Sequence, residues 1–384
     1  MERIIIVGAG LAGSCLALSL LQENERCREQ SKKERLDIMI IDRPDSLEGD
    51  DAGLVVTPNG TRILYSLGLE ADLATTARPL NDIEFYGLKC QLLRRFRNPI
   101  DTKRHGCPLI CIEKYVLRNI LHSHIERLGG KIRYRQQIWS IDHTTTGVTV
   151  SFDDGARIHG AYVVGADGAD SDVRKFIDTS VPKFPYWTSV HGLSSHELGS
   201  MQTVLLNRGI ATLYPLANGL TYWSVVQPNS KITPSSSKDT QVSVEELRSQ
   251  PLPGNISMDD LISTSIYIGK SPLTYASFKR CRARVCLIGD AAHQILPFVS
   301  QGAAMAFEDA AVLARTIIKG EGLDSYERQR SKRVEKIVTA SYVRGYVMVA
   351  DNRLVRWVRD WYIWLQRGPE LSNWLSDWRL EDCE

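Results

Sequence analysis

The chain has 384 residues, more than the roughly 250 to 300 at which a single hydrophobic core usually stops growing, so two domains or one large domain with a subdomain are expected. Hydrophobic residues make up 43% and charged residues 24%, and 47 Lys and Arg against 45 Asp and Glu leave a formal net charge of +2. That balance argues against a nucleic-acid binder, which carries a basic excess to neutralise phosphates, and no run approaches the 18 or so apolar residues of a membrane-spanning helix.

From the N-terminus, Arg3 to Val7 is a continuous apolar run that predicts a buried strand, too short for a secretory signal and broken at once by glycines. Gly8 to Gly13 is a glycine turn and Ser14 to Leu21 a helix. After a very polar stretch from Gln22 to Arg35, Leu36 to Ile41 is a second buried strand ending at Asp42. Strand, turn, helix and strand in this order are the first βαβ unit of a parallel sheet. Thr57 to Leu69 reads as helical. So does Lys114 to Leu128, where Val116, Leu117, Ile120, Leu121 and Ile125 recur at helical spacing.

Lys131 to Phe152 alternates as strands, and Ala161 to Val164 is another buried strand leading into GADGADSDVR. From Pro182 to Tyr275 the pattern changes to short alternating strands. Its clearest hairpin joins IATLYPL to LTYWSVV through Asn218 and Gly219, a pair that accepts the positive dihedrals of a tight turn. The same stretch holds the loop NSKITPSSSKDTQ and a helix opened by a capping box, Ser243 to Glu246. Val285 to Ile288 returns as a buried strand, so the first domain is discontinuous, interrupted by the antiparallel one.

The eight cysteines include two close pairs, Cys107 with Cys111 and Cys281 with Cys286, whose spacings fit neither redox CxxC nor zinc patterns. Buried free thiols in a reducing compartment, the cytoplasm, are expected, with no metal site.

The turn GAGLAG supplies Gly8 for a tight turn, Gly10 for close approach of a pyrophosphate to the backbone, and Gly13 for helix-strand packing, with phosphates facing the positive helix end. Asp42 is placed to accept hydrogen bonds from an adenosine ribose, farther along the chain than usual because of the polar Gln22 to Arg35 stretch. In GDAAHQILPFVSQGAAMAFEDA, Asp290 follows a buried strand and emerges at the carboxyl edge of the sheet. A helix starting near Gly302 offers free N-H groups past small side chains, Ala303 and Ala304. A flat or anionic ligand close to backbone is expected there.

GAGLAG, GADGADSDVR and GDAAHQILPFVSQGAAMAFEDA, in this order, resemble the three fingerprints of single-component FAD-dependent monooxygenases, the aromatic hydroxylase group that includes salicylate and urate hydroxylases. The resemblance spans about residues 1 to 340. It implies an α/β fold: a Rossmann-like FAD-binding domain of the glutathione-reductase βαβ type, an inserted, mostly antiparallel β substrate domain and a C-terminal helical segment. The expected bounds are 1–75, 105–180 and 280–335 for the FAD-binding domain, 76–104 and 181–279 for the substrate domain, and 336–384 for the C-terminal helices.

By the same resemblance, Gly8, Gly10 and Gly13 hold the FAD pyrophosphate, Asp42 the adenosine ribose and Asp290 the ribityl chain. Asp167 lies near the cofactor, Pro297 sits beside the flavin ring, and the N-H groups of Gly302 and Ala303 face its pyrimidine edge. Where the family commonly has an arginine, this chain has Lys114, with Arg118 one turn later as a substitute. The family's GQGxN becomes Ser300 to Ala304, losing a glycine and the asparagine. The implied reaction uses NADPH or NADH as a transient co-substrate and O2, and inserts one oxygen atom into an aromatic or other electron-rich small molecule through a flavin hydroperoxide. His293 belongs to the fingerprint and reads as structural rather than catalytic.

Tyr214, Tyr222 and Trp223 lie on the hairpin strands, and alternation sends Tyr222 and Trp223 to opposite faces, with Tyr222 the preferred pocket residue. Near the C-terminus, Leu354, Trp357, Val358, Trp361, Trp364 and Leu365 form one helical stripe, read first as packing across the two domains. A lid and a membrane-surface or homodimer contact are the other readings. Two rival functions share the fold: a flavin-dependent reductase of isoprenoid double bonds, and a non-enzymatic binding protein.

Overall fold

In the first strand, Arg3–Val7, Ile4 and Ile6 are buried in one apolar cluster and Ile5 and Val7 in another, on opposite faces. A strand covered on both sides has no polar face to show, which is why its sequence is an unbroken apolar run. The computed structural model describes residues 2–30, 36–43, 52–97, 105–134, 137–144, 146–184, 187–228, 244–254, 256–365 and 374–382.

Strand Arg3–Val7 is central in a six-stranded sheet, between Asp37–Asp42 and Tyr162–Gly165, all three parallel. Ile132–Tyr134 extends one edge in parallel. On the other side follow Val285–Leu287, parallel, and Cys281–Arg282, antiparallel. The helix Leu11–Glu29 packs against helix Lys114–Arg127 and helix Gly302–Ile318 on one face of this sheet. The antiparallel meander Ile138–His143, Val148–Phe152 and Arg157–Gly160 buries Ile141, Val148, Val150 and Phe152 against the other.

The first helix runs eight residues beyond the expected Leu21, to Glu29. The polar residues that suggested a loop are strong helix formers, and Glu23 pairs with Arg26 and Glu25 with Arg28 one turn apart. The capping box expected at Ser243 lies outside the described residues. One is found instead at Ser257, whose hydroxyl accepts from the Asp260 N-H at 3.0 Å while Asp260 accepts from the Ser257 N-H at 2.9 Å, opening the helix Met258–Ser263.

The second sheet has seven strands in the order Ser265–Pro272, Trp187–Ser194, Thr221–Pro228, Gly209–Pro215, Met201–Leu206, Asp82–Tyr86 and Leu92–Arg97. The hairpin turn holds Asn218 at φ +59° and Gly219 at φ +73°. One sheet face, with Trp223, Val225, Leu213 and Val204, is covered by Met258, Leu261 and Leu247 from two short helices. The opposite face looks toward the first sheet's domain.

Helix Leu323–Met348 crosses the expected boundary at residue 335 without a break and packs on helix Gly302–Ile318. Helix Arg353–Leu365 follows, and its orientation corrects the first reading of the tryptophan stripe. Arg359 and Ile363 are its buried residues, whereas Trp357, Trp361 and Trp364 are 65%, 54% and 57% exposed. Arg359 donates to the Met348 carbonyl at 2.8 Å and Ile363 packs with Phe85 and Phe298, so the opposite face is the one docked. Among the described residues no helix is long and apolar enough to cross a membrane.

Candidate active site

The glycine turn is shaped by three different constraints. Gly8 has φ +105°, and a Cβ there would fall 2.3 Å from the Ala166 carbonyl oxygen; a Cβ on Gly13 would fall 1.9 Å from the Gly8 oxygen. At Gly10 a Cβ would meet nothing within 4 Å. Two glycines are thus required by packing, and the third leaves bare backbone facing open space. Between them, the Ala9 peptide is held at both ends. Its N-H donates to Asp42 Oδ2 at 3.0 Å, and its carbonyl accepts from His122 Nε2 at 2.8 Å and Ser14 Oγ at 2.9 Å.

Gly8, Gly10, Asp42, Lys114, Arg118 and Asp167 line one cleft of about 260 Å³. It brings the two cations together with the turn, so Arg118 stands beside Lys114 as the sequence suggested. Asp42 keeps acceptor capacity after its bonds to the Ala9 and Arg43 N-H groups, since each carboxylate oxygen can accept twice. Asp167 has less capacity to spare. It accepts from Ser171 Oγ at 2.5 Å and from the N-H groups of Asp172 and Val173 at 2.8 and 3.2 Å, and burial still pushes its pKa above the usual carboxylate value.

Asp290 is exposed at the end of the sheet, just after Gly289. Gly289 has φ +60°, and a Cβ on it would lie 2.9 Å from the Ala12 Cβ and 3.3 Å from the Ala306 Cβ, at the crossing of two helices. Helix Gly302–Ile318 begins with Gly302 and Ala303 half-buried, and a Cβ on Gly302 would meet nothing within 4 Å. Its first-turn N-H groups have no intrahelical acceptor. Ala304 is not kept small for a ligand: it is fully buried, 3.0 Å from the Cβ position of Gly60.

The loop before this helix, Pro297 to Ser300, forms one wall of a second cavity of about 170 Å³. The other wall is the inner face of the seven-stranded sheet, where alternation presents Ile83 and Phe85, Met201 and Thr203, Thr212 and Tyr214, and Ser224. Tyr222 does not line it. Its ring stacks on that of Tyr214, 5.7 Å away and within 7° of parallel, and its Cβ lies 2.4 Å from the Cβ position of Gly53, so strand Gly53–Val56 closes off that end. Tyr214 and Tyr222 are cross-strand partners on one face, and of the two only Tyr214 lines the cavity. Burial pushes the Tyr214 phenol well above its usual pKa, keeping it a neutral donor.

His293 has no exposure, sits 2.6 Å from Asp309 Oδ2 inside a charged cluster, and is not among the residues lining either space. Arg330, also fully buried, donates to Asp309 and Glu308 at 2.7 Å each, and Arg333 clamps Glu308 from the other side at 2.6 Å. Asn59 joins Glu308 to Gln301, and Gln301 donates to the Thr57 hydroxyl at 3.0 Å on the cavity wall. None of His122, Asn59 or Thr57 carried a motif, because each acts on a partner distant in the chain.

The arrangement fits FAD on its own evidence. A bare backbone turn, a carboxylate on the next strand, two cations and a helix start open at Gly302 offer donors and space suited to a pyrophosphate, a ribose and a flat ring. Comparison with known proteins agrees. A family model described as FAD binding domain matches residues 2–341. The 3-amino-4-hydroxybenzoate 2-monooxygenase PtnB3 of Streptomyces platensis is 29% identical over 371 residues, covering 90% of this chain and 88% of its own. Among solved structures, a point variant of HpxO from Klebsiella pneumoniae, complexed with FAD, superposes with a TM-score of 0.83 at 21% identity, covering 98% of each chain. A salicylate hydroxylase substrate complex superposes at 0.76 with 19% identity, covering 100% of this chain and 97% of the other. The chain belongs to the FAD binding domain family and is a single-component FAD-dependent monooxygenase.

Proposed function

We propose that the protein inserts one atom of O2 into a small, electron-rich aromatic ring held between the Pro297 to Ser300 loop and the Thr212, Tyr214 and Ser224 face of the sheet. The observation that carries this reading is the cavity itself, which joins the loop leading into the open helix start to a sheet face of apolar side chains and neutral hydroxyls. Its volume of about 170 Å³ is close to the roughly 150 Å³ of an apolar cavity that accepts benzene. Bound FAD supplies the electron transfer from NAD(P)H and the activation of O2. The chain's own residues bind, orient and exclude water.

In this reading Gly8, Gly10 and Gly13 let the pyrophosphate reach the backbone, with Lys114 and Arg118 offsetting its charge. Asp42 takes the ribose and Asp290 the ribityl chain, and Asp167 braces the neighbouring turn. Pro297 borders the ring, and the N-H groups of Gly302 and Ala303 meet its pyrimidine edge, where the helix terminus contributes on the order of 0.3–2 kcal/mol toward negative charge. The domain division at 75, 105, 180 and 280 is kept as part of this reading, supported by the six-stranded sheet drawing only on the first set of segments and the seven-stranded sheet only on the second, although Arg78–Pro79 pairs with Ile110–Glu113 across the division. A cytoplasmic location is supported by Cys281 and Cys286, cross-strand neighbours that are both free thiols. A homodimer is supported by the outward Trp357, Trp361 and Trp364 face, which sedimentation would test.

The experiment is turnover with NADPH or NADH under isotopically labelled O2. One labelled oxygen in an aromatic product establishes the reading. Saturation of a double bond without O2 uptake would replace it with the isoprenoid reductase.

A further inference from the structure

One charged side chain faces the substrate cavity. Arg344 lies on helix Leu323–Met348 one turn before Met348, and both side chains line the cavity. Among the described lining residues there is no carboxylate and no second cation; the others are apolar or carry neutral hydroxyls. Arg344 is surrounded by protein yet keeps part of its surface open to the cavity. Burial holds its pKa below the ordinary value, and the one ionisable group acting on it is the Tyr362 phenol.

Two buried arginines elsewhere in the C-terminal helices are paired with carboxylates. Arg330 has Glu308 and Asp309, and Arg359 has Asp360 and the Met348 carbonyl. A guanidinium has five donors and stays charged, so one that lines a cavity without a carboxylate partner is open to an incoming anion. Arg344 is half-buried, and among the described residues the only ionisable group acting on it is the Tyr362 phenol, with no carboxylate. The position is also fixed. Gly345, next in the chain, packs so closely on Phe298 that a Cβ would fall 2.4 Å from its ring, which ties this turn of the helix to the Pro297 to Ser300 loop.

We infer that the substrate is a one-ring aromatic acid and that its carboxylate pairs with Arg344, making this helix part of the substrate site. The planar fork matches a carboxylate in two parallel hydrogen bonds, and the surrounding apolar side chains and neutral hydroxyls offer no competing charge. Arg344 is then a specificity-determining residue: it selects the anionic ring and fixes which edge faces the loop. This rests on the assignment of the cavity to the oxygenated substrate.

The test is calorimetric titration of the FAD-loaded protein with 4-hydroxybenzoate and with its neutral isostere 4-hydroxybenzamide, in wild type, Arg344→Gln and Arg344→Lys, with flavin absorbance checking the fold of each. The acid is expected to lose about tenfold or more in affinity on Arg344→Gln and to recover part of it in Arg344→Lys, which keeps the charge without the fork, while the amide shifts by less than about twofold. Equal acid affinity in all three proteins, no acid binding to wild type, or equal loss of acid and amide would overturn the inference. Oxygenation of neutral aromatics alone would overturn it while the proposed function stands. Oxygenation of neither class would remove that function, and this inference with it.

Discussion

His293 Nε2 lies 2.6 Å from Asp309 Oδ2, and neither side chain is exposed. Asp309 also accepts from Arg330 Nε at 2.7 Å and from the Gly289 N-H at 3.0 Å, so one carboxylate holds the residue that precedes Asp290. Burial alone would raise its pKa, but His293 and Arg330 more than offset this and hold it well below the usual carboxylate range. Asp309 is therefore ionised when folded. Its stabilising contribution is present above the unfolded value of about 3.9 and is lost as pH falls from there toward the depressed folded value. Asp309→Asn leaves Arg330 undercompensated, and breaking a buried pair in this way costs about 3–5 kcal/mol. Denaturant unfolding of the FAD-loaded variant checks it, and a loss below about 1 kcal/mol would contradict the placement.

Gly10 and Gly13 separate binding from folding. Ala at position 13 would bring its Cβ to 1.9 Å from the Gly8 oxygen, so Gly13→Ala is expected to yield little folded protein. Gly10→Ala meets no protein atom within 4 Å and should fold with an unchanged circular dichroism spectrum. Its methyl group instead occupies the space through which a pyrophosphate approaches, and FAD affinity is expected to fall by about tenfold or more. Equal FAD affinity in Gly10→Ala and wild type would show that the phosphates lie elsewhere.

His122 gives the turn a pH dependence. Burial, with Arg118 adding to it, lowers its pKa despite the favourable bond to the Ala9 carbonyl. The folded protein thus resists a proton that the unfolded chain accepts below about pH 6.5. Stability linked to this group is complete above that pH and declines as pH falls toward the depressed value. Melting temperatures of the FAD-loaded protein across this range should drop more steeply for wild type than for His122→Gln, which can still donate to Ala9 but does not titrate. Parallel curves would rule the histidine out as the source; His191, lowered by burial as well, would account for slope that remains.

The parts of the fold and site visible in the sequence are those decided within a few residues. The glycine turn, the strand before it and the helix Gly302–Ile318 are local patterns, and they lie where their spacing indicates. Periodicity identifies which side chains share a face, but not the direction in which the face looks. That is why the stripe at Trp357, Trp361 and Trp364 reads as a packing face and is exposed, and why alternation separates Tyr222 from Trp223 but does not tell which of Tyr222 and its cross-strand partner Tyr214 reaches the cavity. Arg344 has no local signal at all. Its meaning comes from the absence of acid among the described residues around it, contributed by strands more than 100 residues away in sequence.

Asp290 differs from Asp42, Asp167 and Asp309 in being exposed, and it follows a glycine fixed by two helices. Nothing in its described surroundings suggests a structural duty comparable to that of Asp309. Asp290→Ala is expected to shift the unfolding midpoint little, within the roughly 0.5 kcal/mol typical of surface substitutions, while lowering FAD occupancy of the purified protein. Full flavin retention would remove Asp290 from the ribityl contact.

Tyr214 and Tyr222 form a stacked pair in which only the first reaches the cavity, so their hydroxyls can be tested against each other. Tyr214 is kept neutral by burial and stands near the end of an interior strand on the same cavity wall as Thr212 and Ser224, able to donate to a ring substituent. Removing one such hydrogen bond costs about 0.5–1.5 kcal/mol, so Tyr214→Phe should raise KM roughly two- to twelvefold with kcat less affected. Tyr222→Phe keeps the ring that supports Tyr214 and removes a hydroxyl outside the cavity, so its KM should stay near that of wild type. The contrast matters more than either value, because both variants alter the same stacked pair and share any general effect on the sheet. If Tyr222→Phe proved the more damaging, the substrate would have to reach past Tyr214 to the strand Gly53–Val56, and the cavity boundary drawn at that tyrosine would be wrong.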